Sequence, residues 1–158
     1  MISIIIPTYN EEKNFNRIVK NLKLFSEKQV IVVDGGSNDN TVKLLEEEKI
    51  IVLKSRPSRG AQLLLGAKNS NRKWLFFVHA DTNLTRENIV CIREFINKER
   101  NNKVGFFKLK FNSKKNIASL ISFWCMIRTK IFRLPFGDQC TLITREYYFS
   151  VGAHKKLK

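Results

Sequence analysis

Long apolar runs, a secretory leader, metal-spaced cysteines and glycine-rich phosphate loops are all missing from this chain of 158 residues. No apolar stretch reaches the roughly 18 residues that a bilayer-spanning helix requires. Met1 runs directly into strand-like sequence, without the basic segment and apolar core of a signal peptide, so the expected location is the cytoplasm. Cys91, Cys125 and Cys140 are odd in number and far apart. That spacing excludes a zinc site and makes reduced, mostly buried thiols the expectation. No Gly-x-Gly-x-x-Gly follows the first apolar burst and no Gly-Lys-Ser/Thr occurs, which removes dinucleotide oxidoreductases and P-loop enzymes. Internal repeats and low-complexity linkers are absent too. With 43% hydrophobic and 27% charged residues, the composition is that of one folded domain.

Acidic residues are scarce in the second half. Residues 98–158 hold 14 basic and 3 acidic groups, so +11 of the formal +15 lies there. Such a field attracts phosphates, nucleic acid or an anionic membrane face, although most surface lysines simply solvate a fold. Both readings stay open. A nucleic-acid binder carries low weight, because neither a helix-turn-helix, a zinc pattern nor an interleaved aromatic and basic platform is present.

What the chain does contain is a repeated pattern. Three apolar bursts end abruptly in small polar clusters: Ile2–Ile6 before Pro7-Thr8-Tyr9-Asn10-Glu11-Glu12, Val30–Val33 before Asp34-Gly35-Gly36-Ser37, and Trp74–Val78 before His79-Ala80-Asp81. Near-continuous apolar runs suit strands buried on both faces of a parallel sheet, and such sheets bind ligands at the carboxyl ends of their strands. Helical spacing fills the gaps, first at Phe15, Ile18, Val19, Leu22 and Phe25 with Asn10 as the expected N-cap, then around 41–48, 60–68, and past Thr85, a second expected cap. Ile50–Leu53 reads as a further strand. This alternation predicts an α/β fold, a Rossmann-like, mostly parallel sheet with helices on both faces. Later, Val104–Phe111 reads as a bulged strand, 117–132 as an aromatic-rich helix, Cys140–Thr144 as a strand and Glu146–Phe149 as a helical turn.

A carboxylate at one strand end can hydrogen-bond a base or ribose, and a second can hold a divalent cation whose remaining sites a diphosphate fills. Asp34 and Asp81 suit those two tasks, although either could merely close its own turn. The segments Ile4–Glu12, Val32–Thr41, Arg59-Gly60-Ala61-Gln62 and Val78-His79-Ala80-Asp81, in this order and spacing, closely resemble the family 2 glycosyltransferases over about residues 2–153. The resemblance implies the GT-A fold and transfer of a sugar from a nucleotide diphosphate sugar, UDP-linked by expectation, to a hydroxyl acceptor. It implies that Pro7, Thr8, Tyr9, Glu11, Gly35, Arg59 and Ala80 line the nucleotide pocket and that Asp34 is the uridine-binding aspartate. His79-Ala80-Asp81 stands where the family carries Asp-x-Asp. Because a hard magnesium or manganese ion prefers oxygen, the metal is assigned to Asp81 and not to His79.

Residues 1–158 are thus expected to form a single GT-A domain, with 1–100 as the nucleotide-sugar-binding part and 101–158 as an incomplete acceptor-side part. The acceptor base that an inverting displacement needs is the weak point. In the family it lies in a Glu-Asp-like motif after a Gly-Gly-Phe-like segment, whereas this chain reads Ser150-Val151-Gly152-Ala153-His154 and then ends in lysines, so the tail reads as truncated. Asp138, in a Gly137-Asp138-Gln139 segment similar to one in a subgroup of these enzymes, is the remaining candidate base. Glu146 reads as a first-turn helix residue. A nucleotide-sugar-binding homologue without turnover is the alternative. Phe123–Ile127 beside Arg128, Lys130 and Arg133 suits either a core helix or a peripheral membrane contact that presents a lipid-linked acceptor.

Overall fold

A computed structural model describes residues 2–98, 102–107 and 140–154. In chain order the elements are β1 (Ile2–Thr8), a 3-10 turn at Glu12–Asn14, α1 (Phe15–Leu22), β2 (Lys28–Asp34), α2 (Thr41–Glu47), β3 (Ile51–Lys54), α3 (Arg59–Lys68), β4 (Trp74–Phe77), α4 (Arg86–Asn97), β5 (Gly105–Phe106), β6 (Thr141–Thr144) and α5 (Arg145–Ser150). The described strands pair in the order β3-β2-β1-β4-β6-β5. β1 to β4 run parallel, while β6 pairs antiparallel with β4 and β5 antiparallel with β6. The expected mostly parallel sheet is therefore observed.

Alternation along the strands sorts the apolar side chains into two layers, as the pleat requires. Ile2, Ile4, Ile6, Val32, Trp74 and Phe76 face one side, where Ile18 and Leu22 of α1, Leu45 of α2 and Ile89 and Ile92 of α4 cover them. Ile5, Leu75, Phe77 and Ile143 face the other, under Leu63 and Ala67 of α3 and Tyr148 of α5. Helices cover both faces. Each fully buried Ile, Leu or Phe here contributes about 1.5–3 kcal/mol over leaving it exposed. Register places the strand ends side by side, with Thr8 opposite Asp34 and Asp34 opposite Lys54.

Thr85 caps α4 as expected, its hydroxyl accepting from the Asn88 N–H while the Asn88 side chain accepts from the Thr85 N–H. Asn10 does not cap α1. Its backbone is left-handed (φ 55°) and its side chain accepts the Asn38 N–H, so the helix begins only at Phe15, behind Asn14. Cys140 is buried but Cys91 is exposed on α4, which corrects the expectation for that thiol. The aromatic segment 117–132, the outer part of the 104–111 strand, Cys125 and Asp138 lie outside the described residues. Among the described residues no helix is long and apolar enough to cross a membrane.

Candidate nucleotide site at the carboxyl ends of β1, β2 and β4

Asp34 ends β2 with only 2% of its surface exposed. Its Oδ1 accepts hydrogen bonds from the hydroxyls of Thr8 (3.1 Å) and Ser37 (2.5 Å), and its Oδ2 from the backbone N–H groups of Gly36 (2.9 Å) and Ser37 (2.8 Å). A buried carboxylate is tolerated because it is surrounded by donors in this way. Asp34 thus closes the turn after β2 and ties it to β1, the structural role that its sequence context also allowed. Gly35 donates its N–H to the Thr8 carbonyl at 2.9 Å, and a Cβ there would lie 3.2 Å from both the Gln62 side chain and the Pro57 backbone. A side chain there would press these neighbours a few tenths of an ångström apart.

Gln62, on α3, is a site-building residue that the sequence did not single out by role. Its buried amide donates to the carbonyls of Thr8 and Val33, both at 2.8 Å, and so bolts α3 across the ends of β1 and β2. Beyond β1, Pro7 is half-buried, Glu11 half-buried and Tyr9 50% exposed, so the first loop presents its side chains to solvent above the turn. Glu11 also accepts from the Asn14 side chain at 2.6 Å.

The third strand end is held from two sides. Arg17 of α1 donates to the Asp81 carbonyl at 2.9 Å, and the buried Asn21 side chain donates to the Thr82 carbonyl at 2.7 Å while accepting the Leu84 N–H at 2.9 Å. Ala80 is buried and His79 half-buried, whereas Asp81 is exposed. Arg59, the first residue of α3, lies against the His79 ring, its Nη2 2.6 Å from Nδ1 and also in contact with Nε2. Among the described residues no cluster of three or more His, Cys, Asp or Glu could hold a metal by itself. The exposed Asp81 carboxylate nevertheless supplies a hard oxygen ligand, which fits a divalent cation that completes its shell with diphosphate and water.

His154 was not anticipated. Its ring packs edge-on against Phe77 at the end of β4, its Nδ1 lies 2.8 Å from the Tyr148 hydroxyl, and its own N–H donates to that hydroxyl at 3.1 Å. Burial, reinforced by the Arg59 cation nearby, holds its pKa below the usual imidazole value. Only its place after the left-handed pair Gly152 (φ 95°) and Ala153 (φ 54°), which turns the chain back toward β4, gives it this position. No sequence pattern signals that.

A family model described as "Glycosyl transferase family 2" matches residues 3–101, more than half of the chain. A UDP-N-acetylglucosamine--dolichyl-phosphate N-acetylglucosaminyltransferase of Methanococcus voltae is 47% identical over 47 residues, which cover 30% of this chain and 19% of that protein. The S. aureus TarS 1-349 structure in complex with UDP superposes with a TM-score of 0.59 at 26% identity, covering 72% of this chain and 37% of that one. Glucosyl-3-phosphoglycerate synthase of Mycobacterium tuberculosis, in complex with Mn2+, UDP and glucosyl-3-phosphoglycerate, superposes at 0.68 with 17% identity, covering 92% and 57%. The fold is therefore the GT-A α/β fold. This chain spans well under two thirds of the length of each of these proteins.

Proposed function

Since the chain belongs to glycosyltransferase family 2, we propose that it is the donor-binding part of a glycosyltransferase that takes a nucleotide diphosphate sugar, with uridine as the base. The observation that carries this reading is the convergence at one sheet end of the Asp34 turn, the loop of the exposed Tyr9 and half-buried Glu11, and the exposed Asp81 carboxylate. Thr8, Gly35 and Gln62 build the floor on which a base can lie. Asp34 meets the uracil N–H by exchanging one of its side-chain donors, the Ser37 or Thr8 hydroxyl, for the ring nitrogen. Arg59 stands at the mouth of β4, where its cation offsets charge on a leaving diphosphate.

Asp81 is the residue that would hold Mg2+ or Mn2+, and the ion's contribution is Lewis-acid neutralisation of the diphosphate. The acceptor base is assigned to Asp138, which would take the proton from an acceptor hydroxyl. A lipid-linked acceptor that offers a hydroxyl is the favoured class, the lipid part being suggested by the Methanococcus relative, which is named for dolichyl phosphate. Titration calorimetry of UDP into this chain, with and without Mn2+, tests the reading. UDP is expected to bind, more tightly with Mn2+, and Asp81→Asn is expected to remove the metal-dependent increment while leaving metal-free binding in place. Absence of UDP binding, or a metal increment untouched by Asp81→Asn, would overturn it.

A further inference from the structure

Three consecutive backbone N–H groups of the β1 loop all donate to side chains of the β2 turn. Asn10 donates to the Ser37 hydroxyl at 2.8 Å, Glu11 to the Thr41 hydroxyl at 2.8 Å, and Glu12 to Asp39 Oδ2 at 3.1 Å. The return contacts run the other way. Asn38 N–H donates to the Asn10 side chain at 2.8 Å, and the N–H and side-chain amide of Asn40 donate to the Glu12 carboxylate at 3.2 and 2.9 Å. Polar side chains that turn sequences favour for local capping are here spent across two different loops.

Asp39 lies at the centre of this seam. Its Oδ1 accepts both the N–H (3.0 Å) and the hydroxyl (2.5 Å) of Thr41. A hydroxyl has one proton to give, so donating it to Asp39 leaves the lone pairs of the buried Thr41 oxygen for the Glu11 N–H. Every partner of the Asp39 side chain is therefore a donor, an arrangement that favours the ionised carboxylate. The direction of its titration agrees: burial opposes the charge, but the hydrogen bonds from Thr41 and Glu12 outweigh it and hold the pKa below the ordinary aspartate value.

We propose that Asp39 is a positioning residue of the donor site. By accepting from Glu12 and orienting the Thr41 hydroxyl toward Glu11, its carboxylate locks the β1 loop onto the β2 turn in the geometry that presents Tyr9 and Glu11 to the nucleotide. The inference rests on the donor-site reading above, and it adds a residue that touches no ligand.

Two measurements on the full chain test it, UDP affinity by calorimetry and amide hydrogen exchange at Glu11 and Glu12. Asp39→Asn keeps the size but puts an NH2 against a donor, and is expected to weaken UDP binding about tenfold and to speed exchange at both amides. Thr41→Val should do the same, the double variant should be no worse than either single one, and Thr41→Ser should recover most of the loss. A folded Asp39→Asn chain with native UDP affinity overturns the proposal, as does strict additivity of the two variants. If the unaltered chain binds no UDP, the donor-site reading falls by itself. The clamp is then decided by exchange alone: faster exchange at Glu11 and Glu12 in Asp39→Asn supports it, and unchanged exchange overturns it.

Discussion

At the scale of single residues, the site is built by polar groups whose partners lie far along the chain. Gln62 satisfies carbonyls of two strands 54 and 29 residues away. Replacing it with leucine keeps the bulk and deletes both bonds, and the expected cost is about 1–3 kcal/mol of stability, read from urea unfolding, together with weaker UDP binding. Asp34 was legible as a candidate site residue because it ends an apolar burst, but the placements of Gln62, Asn21 and His154 were not. Their roles depend on which carbonyls or rings happen to face them, and no local pattern records that. For His154 the depressed pKa sets a sign. The unfolded chain takes up this proton first as pH falls, so the neutral ring favours the folded state above about pH 6.5, and the contribution is lost as pH drops toward the folded value. The fall in urea midpoint between pH 8 and pH 5.5 is therefore expected to be smaller in His154→Gln. An identical fall in both proteins would remove His154 from the account.

At the scale of elements, period and propensity located most of the structure. The expected strand over 50–53 is observed at Ile51–Lys54, the helix near 60–68 at Arg59–Lys68 and the turn at 146–149 at Arg145–Ser150. The start of α1 was misplaced for a physical reason: Asn10, which looked like its cap, is instead consumed by the seam with the β2 turn. How closely α3 lies on β1 was also hidden. A Cβ at Gly66 would come within 2.4 Å of Ile5 Cγ2, a branch that cannot swing aside. Gly66→Ala, although it raises helix propensity, is thus expected to destabilise by about 1–3 kcal/mol in thermal or urea unfolding. A neutral or stabilised variant would show that α3 can lift away without loss.

At the scale of the whole molecule, the charge and the site divide the chain unequally. The loops after β1, β2 and β4 come from residues before 86, while +11 of the +15 formal charge lies after residue 97. If Asp138 is the acceptor base, Asp138→Asn is expected to abolish sugar transfer while leaving the UDP affinity within about twofold, since no donor contact is assigned to it. A parallel loss of UDP binding would instead put Asp138 on the donor side. By itself the sequence determined the α/β class, the parallel order of alternating strands and helices, and the three strand ends where polar chemistry gathers, because apolar periodicity and turn residues are local signals. Only the tertiary structure decided that β1, β2 and β4 lie side by side, that Arg59 meets His79, and that the amides of residues 10–12 dock onto residues 37–41. Those contacts join segments tens of residues apart, and their energies come from donors meeting acceptors in space rather than from any property of the segments alone.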